Sequence, residues 1–235
     1  MTKKPDITNF PNININTGTW GSVSIEKNGS VFQLKHNDAI WHGYNTKNKR
    51  EIYQQWSSYD LAYGDVLISG FGFGQIALWL ASKPSVKTVT VIEISQDVID
   101  AFLSSNTIPD NVSIIIADMN SYITDKKYDC IIFDHFNFIK TEDFYKELCK
   151  VAKSIPHDLF WFWSIEEYYI MNYYNITFSN LFINPIDFNQ FDFSLKWKDM
   201  ISDLEMNSIP LLDKSKITSY IDIYFLRHLL STQNY

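Results

Sequence analysis

The chain is poor in the residues that staple, span or coat. Of 235 residues only two are cysteines, and neither a CxxC nor an HExxH spacing occurs. Cys130 falls in a predicted core strand and Cys149 on a predicted helix. Both read as buried thiols rather than a disulfide or metal pair, and no metal site is expected. No apolar run reaches membrane-spanning length, and the opening MTKKPDITNF has basic residues without an apolar h-region. The expectation is a soluble, cytoplasmic protein with no membrane partner. Basic residues are outnumbered, with 20 Lys and Arg against 27 Asp and Glu and a net charge of −7. That balance excludes general nucleic-acid binding, where phosphate neutralisation supplies most of the affinity, and leaves room only for a local basic patch. Internal repeats and low-complexity tracts are lacking too.

Glycine is scarce as well, with eight in the chain. Three of them, Gly70, Gly72 and Gly74, fall within five residues. Scarcity elsewhere makes this cluster informative: the backbone there must turn tightly and carry no side chains. Val66, Leu67 and Ile68 precede it as a continuous apolar run, the pattern of a strand buried on both faces of a parallel sheet. Residues 75–82 follow as a predicted helix, with Ile76, Leu78, Trp79 and Leu80 available to pack on the sheet. A second apolar strand over 89–92 ends at Glu93, roughly twenty residues beyond the first glycine. A carboxylate at that strand end can accept hydrogen bonds from both hydroxyls of a ribose. The unit 64–94 reads as a nucleoside-binding βαβ, and the chain is organised around it.

Hydrophobic residues make up 46% of the sequence and aromatics 16%, enough for one sizeable α/β core. Residues 1–17 read as a loose lead-in. Segments 20–27 (WGSVSIEK) and 30–35 (SVFQLK) flank Asn28-Gly29, which predicts a β-hairpin with a type I′ turn. An apolar-aromatic return, 39–43, and a polar connector lead into a predicted helix over 51–62, whose Ile52, Trp56 and Tyr59 share one face. After Glu93, Ser95 is positioned to cap a helix carrying Val98, Ile99 and Phe102. Strands over 112–117, 128–133 and 159–163 are separated by turns and a helix over 141–155. The alternating Phe160, Trp161, Phe162 and Trp163 fit a strand buried on both sides. Asp118 and Asp134 close the third and fourth strands at the same edge as Glu93. The fold expected is α/β: a Rossmann-like, doubly wound, mostly parallel sheet with a small N-terminal β-hairpin domain, divided as 1–50 and 51–235. Its ligand belongs at the carboxyl ends of the strands. Beyond residue 165 the pattern offers a helix over 196–206 and a strand over 220–226. The aromatic tract 168–193 has two readings, an apolar lid or an interface for self-association such as a homodimer.

The order of hairpin, helix, GxGxG turn, acid after the second core strand and aspartates after the third and fourth resembles the class I S-adenosylmethionine-dependent methyltransferase fold. Over residues 18–165 it is similar, more narrowly, to the spermidine synthase branch. That resemblance implies S-adenosylmethionine, or its decarboxylated form, as cofactor. Gly70, Gly72 and Gly74 would lie under the methionine part and ribose. Glu93 would hold the ribose hydroxyls, Asp118 would accept from the adenine amino group, and the Met119 backbone would meet the ring. It also implies that Asp134 serves as base or electrostatic anchor for the nucleophile, with His135 beside it and Tyr53 on the acceptor.

Departures from the spermidine synthase pattern point away from its reaction. Phe73 stands where the GGGDGG loop has its acid, and Gln54-Gln55 replaces the His-Glu pair after the tyrosine. Neutral amides replace the hydration of a dicationic amine poorly. The expected function is therefore methyl transfer to a small-molecule acceptor, with an amine among the candidates. Aminopropyl transfer to a polyamine is the runner-up, and a catalytically silent nucleoside- or partner-binding protein is the third reading. Glu93 with a glycine turn would also suit a nicotinamide cofactor. Asp-His-Phe-Asn after the fourth strand differs from the Asp/Asn-Pro-Pro-aromatic motif of base-directed amino methyltransferases.

Overall fold

The structure is a computed structural model, and it describes residues 7–46, 50–135 and 142–163. The side chains of Tyr53, Gln54 and Cys149 lie outside the described residues. So do the predicted helix over 196–206, the predicted strand over 220–226 and the aromatic tract 168–193.

The described residues form two sheets. The first is antiparallel, with β1 (Gly18–Trp20), β2 (Val23–Asn28), β3 (Val31–His36) and β4 (Ala39–Asn45) in that order. It is larger than the hairpin expected, because the stretch 39–45 pairs as a full strand and 18–20 adds a fourth. The turn between β2 and β3 also differs from expectation. Asn28 pairs with Val31, so the first loop is Gly29-Ser30, and only Gly29 has a left-handed φ, of 59°. A glycine at the first central position is the requirement of a type II′ turn. The two consecutive left-handed residues that a type I′ turn needs occur in the next hairpin instead. There His36 pairs with Ala39, and Asn37 and Asp38 have φ of 47° and 65°. Asn and Asp are the non-glycine residues that best tolerate that conformation.

Helix α1 (Arg50–Leu61) leads to the second sheet. Its strands are β5 (Gly64–Ser69), β6 (Val86–Glu93), β7 (Val112–Ile116), β8 (Tyr128–Phe133) and β9 (His157–Phe162). All pair in parallel, in the order β7-β6-β5-β8-β9. Helices α2 (Gln75–Ala81), α3 (Gln96–Leu103) and α4 (Glu142–Ser154) connect them. Parallel strands need such crossovers, and their burial on both faces accounts for the continuous apolar runs. Val66, Leu67, Ile68, Val89, Val91, Cys130, Ile131 and Ile132 are each fully buried. Burying one side chain of this size contributes about 1.5–3 kcal/mol, so these central strands anchor the domain. Phe160 and Trp161 are buried as well, and the Trp161 indole N–H donates to Ser57 Oγ at 2.9 Å. Burial pushes the Cys130 thiol up to about 11, which keeps it protonated and inert.

Chain order along this sheet reverses between β5 and β8. That is the topological switch point, where the connections leave to opposite sides and open a crevice at the carboxyl ends of the strands. Three polar groups or turns converge on this edge. Gly70 follows β5 and donates its N–H to Ile92 O at 2.8 Å; Glu93 ends β6; Asp134 follows β8 and donates its N–H to Ser69 O at 3.1 Å.

The N-terminal sheet is fixed to this core. Asp97, in the first turn of α3, accepts from both the backbone N–H and the hydroxyl of Ser22 at 2.8 Å. Those bonds hold the Asp97 carboxyl below its usual range. Residues 7–17, expected to be loose, are tied down too. The Asn14 N–H donates to Asn106 Oδ1 at 3.0 Å, and Phe10 packs edge-on against Trp79 with ring centroids 4.9 Å apart. Helix α1 is held at its C-terminal end by Lys83, whose ammonium donates to the carbonyls of Tyr59, Asp60 and Ala62. A cation there satisfies carbonyls that have no partner within the helix.

Candidate functional site

The glycine turn is built as the sequence requires. Gly70, Gly72 and Gly74 have φ of 87°, 54° and 78°, all left-handed. Space is as restrictive as conformation. A Cβ on Gly70 would lie 2.7 Å from the backbone carbonyl oxygen of Asp134, and one on Gly72 would lie 2.5 Å from His42 Nδ1. The residues between the glycines face inward. Phe71 and Phe73 are both buried, Phe71 edge-on to Phe102 with centroids at 5.0 Å and Phe73 edge-on to His42 at 5.0 Å.

Glu93 is buried and holds this turn. One carboxylate oxygen accepts the Phe71 N–H at 2.8 Å, and the other accepts the Ser95 N–H at 2.9 Å. Burial raises the Glu93 carboxyl above its usual range, while N–H bonds from Phe71, Ser95 and Ile94 oppose that rise. Each oxygen keeps a second lone pair. The group therefore fits the ribose-accepting role and also ties the turn to β6. Ser95 does begin α3, but its side chain makes no capping bond. Its contribution there is the backbone N–H given to Glu93.

Asp118 and Met119 lie at the end of β7. Asp118 is exposed, and its Oδ1 accepts the Asn120 N–H at 2.9 Å in a local turn. Met119 is buried.

Asp134 and His135, neighbours in sequence, face different partners. Gln55 Nε2 donates to Asp134 Oδ2 at 2.7 Å, across from α1. His135 Nδ1 meets the Ser69 hydroxyl, and its Nε2 lies 3.9 Å from Glu147 Oε2. Burial pushes the His135 imidazole down to about 4, against a smaller opposing pull from Asp118. At neutral pH the ring is uncharged, so its contact with Glu147 is not an ion pair. A base with that affinity for protons is weak at pH 7.

A cleft lies over the glycines, between α1, β4 and the ends of β5 and β8. Its polar lining is His42, Gln55, Gln75 and Asp134. Phe10, Phe71 and Phe73 occupy much of the remaining room, and the space left is about 40 Å³. Small-molecule sites commonly offer roughly 300–1,000 Å³, so a nucleoside requires these rings to move aside. Two buried polar atoms facing this region, Gln55 Oε1 and Gln75 Nε2, have no hydrogen-bond partner among the described residues. Of the residues expected at the site, Gly70, Gly72 and Asp134 line the cleft, and Glu93 supports its floor from behind. Tyr53 lies on α1, with its side chain outside the described residues.

Sequence reading did not assign Phe10, His42, Gln55 or Gln75 to the site. Gln55 was visible only as a departure from a charged pattern, and Gln75 only as the residue after the last glycine. Phe10 and His42 reach the cleft through tertiary packing that no local pattern announces.

Residues 66–154 match a family described as a methyltransferase domain. Those residues are fewer than half of the chain, and it is the core that is similar to that family. The match runs from Val66 within β5 to Ser154 at the end of α4, the part of the chain that carries the glycine turn, Glu93, Asp118 and Asp134. Among solved structures, spermidine synthase from Thermotoga maritima is 15% identical, with 57% of this chain and 50% of that one covered and a TM-score of 0.43. A probable spermidine synthase from Corynebacterium glutamicum is 14% identical, with 60% and 61% covered and a TM-score of 0.43. The N-methyltransferase NodS from Bradyrhizobium japonicum, solved with S-adenosyl-L-homocysteine, is 17% identical, with 46% and 56% covered and a TM-score of 0.36. The matched part of this chain thus spans about half to three-fifths of the length of these proteins. No curated protein matches the sequence.

Proposed function

We propose that this chain is an S-adenosylmethionine-dependent methyltransferase acting on a small molecule. The observation that carries the reading is the convergence, at the switch point of the methyltransferase fold, of a glycine turn without Cβ atoms, the buried Glu93 and the cleft-lining Asp134.

The residues present fit the cofactor. Gly70 and Gly72 leave the backbone bare for close approach, Glu93 has lone pairs for the ribose hydroxyls, and two buried amide atoms await partners in the cleft. S-adenosylmethionine supplies a methyl group already activated on a sulfonium. What remains for the protein is to align the nucleophile, exclude water and handle one proton. Phe10, Phe71 and Phe73 make the cleft apolar and keep its volume small. Among the described residues that line it, Asp134 is the one carboxylate, and it serves as base or electrostatic anchor for the acceptor. Gln55 holds that carboxylate in place. His135 is neutral and bonded to Ser69, which suits a positioning role.

Aminopropyl transfer to a polyamine fits less well. A dication needs several carboxylates to replace its hydration, and Phe73 is buried against His42 where such an acid would be required. The test is incubation of the full chain with methyl-labelled S-adenosylmethionine and a panel of small acceptors, amines included. Label appearing in an acceptor with stoichiometric S-adenosylhomocysteine supports the proposal. Methylthioadenosine formed only from the decarboxylated cofactor would replace it with the aminopropyl reading.

A further inference from the structure

Three aromatic rings narrow the cleft over the glycine turn, and they are not held equally. Phe71 is buried, gives its N–H to Glu93 and lies edge-on to Phe102. Phe73 is buried too, between two glycines of left-handed φ. Phe10 is only partly buried and belongs to a segment, 7–17, that joins neither sheet. Along 10–16 no side chain is fully buried: Phe10, Ile13 and Ile15 rest on the core, while Asn12, Asn14 and Asn16 are exposed. Segments with so few buried contacts open at a lower free energy than a core does.

The segment is fastened by a polar latch. Asn106, just beyond α3, accepts the Asn14 N–H on Oδ1 at 3.0 Å and donates from Nδ2 to Asn14 O at 2.7 Å. Ser105 Oγ donates to the same carbonyl at 2.9 Å, and Asn16 reaches Ser104 O at 3.4 Å. These bonds are exposed, so each exchanges readily with water and contributes little net stability. Beside the latch lies an open groove of about 470 Å³, lined by Asn12, Asn14, Leu78 and Leu103 among others. Leu78 neighbours Trp79, the ring on which Phe10 sits, so the groove adjoins the seat of Phe10.

We infer that Phe10 is a self-inhibitory plug, carried on the strap 7–17 and latched at Asn106, that must leave the cleft before an adenosyl ligand enters. The inference rests on the methyltransferase reading above and adds how its ligand is admitted. The cleft holds about 40 Å³ of free space, far below the roughly 300 Å³ or more of a small-molecule site. Of the three rings, Phe10 is the one that moves without unmaking the glycine turn. Release of the latch frees the strap, and the ring passes into the groove, where Leu103 offers an exposed apolar surface. Strap and ligand thus compete for one space, and the latch is made only in the ligand-free protein.

The test uses the full chain and its Asn106→Ala, Asn106→Leu and Phe10→Ala variants, each first checked for a native circular dichroism spectrum, with S-adenosylhomocysteine as the probe. Stopped-flow mixing gives the association and dissociation rates. Amide hydrogen exchange of residues 10–16 is followed in the wild type with and without the probe. Both Asn106 variants should associate about 3- to 10-fold faster, the equivalent of one or two exposed hydrogen bonds, at an unchanged dissociation rate. Exchange in residues 10–16 should quicken when the probe binds, a readout that needs no variant. Unchanged or slower exchange on binding, or faster dissociation from the Asn106 variants, would make the strap a lid over the ligand and overturn the plug. Equal association rates in all four proteins would overturn it as well and leave the methyltransferase reading standing. Binding by none of the four overturns both.

Discussion

Gln55 and Asp134 are 79 positions apart in sequence and joined by one hydrogen bond of 2.7 Å, between Nε2 on α1 and Oδ2 beyond β8. The bond couples the helix that precedes the core to the carboxylate that lines its cleft. Gln55→Leu should therefore release Asp134 and lower kcat by about 10- to 100-fold, within the range of misplaced acid–base groups. Gln55→Glu sets a second carboxylate against Asp134 and should raise the apparent pKa of the pair, moving the rising limb of the rate profile to higher pH. A rate profile unchanged in both variants would remove Asp134 from the proton path.

Glu93 pays for its position in stability, and the sign is fixed by its raised pKa. The folded state holds the Glu93 proton more tightly than the unfolded chain does, so the charged form costs stability above the usual carboxylate range. That cost disappears as pH falls below about 4.5. Relative to the wild type, Glu93→Gln should thus gain stability as pH rises from 4 to 8, measured by urea unfolding at each pH. The same stability difference at every pH would contradict the burial of a charge here.

His135 acts in the opposite direction. Its folded pKa of about 4 lies below the usual imidazole value of 6.5, so the folded state disfavours protonation. Its contribution is fully present above pH 6.5 and is lost as pH falls through 4, an amount of at most about 3 kcal/mol. His157, also lowered mainly by burial, adds to the same trend. Acid unfolding of His135→Gln between pH 6.5 and 4 should be shallower than that of the wild type. Parallel curves would show that another group governs the acid limb.

Gly70 and Gly29 make a controlled pair. Both have left-handed φ, but a Cβ on Gly70 strikes the Asp134 carbonyl at 2.7 Å, whereas one on Gly29 meets nothing within 4 Å. Gly29→Ala should cost only the conformational strain, about 1–2 kcal/mol. Gly70→Ala should cost more and should also displace Asp134, which a fall in urea midpoint together with lost cofactor binding would report. Equal losses would mean that the turn has room it does not show.

Phe10 sits between the cleft and Trp79. Phe10→Ala should enlarge the opening and speed cofactor association in stopped-flow mixing. It should also lower stability by about 1 kcal/mol or more through the lost aromatic contact. A slower or unchanged association rate would show that Phe10 does not restrict entry.

The central sheet was legible because strands buried on both faces must be written as unbroken apolar runs. Val66 to Ile68 and Cys130 to Phe133 are such runs, and Val89 to Ile92 is one interrupted by Thr90 alone. Gly70, Gly72 and Gly74 were legible because few residues besides glycine tolerate those φ values. The antiparallel sheet was read less completely. Asn28-Gly29 drew attention away from Asn37-Asp38, where the two left-handed residues of a type I′ turn stand. Ser95 reads as a side-chain cap, but its hydroxyl makes no capping bond, and its part at the helix start is the backbone N–H it gives to Glu93. The cleft was the least visible part. Gln55, Gln75 and His42 come from three separate elements and Phe10 from the segment before β1, and only the folded arrangement brings them together.

The most direct test of the account is calorimetric titration of the wild-type chain and Glu93→Ala with S-adenosylmethionine. The account predicts saturable binding by the wild type and at least a 100-fold loss in the variant, the equivalent of two charge-assisted hydrogen bonds to the ribose. Undiminished binding by Glu93→Ala would contradict the assignment of the site, and no binding by the wild type would contradict the proposed activity itself.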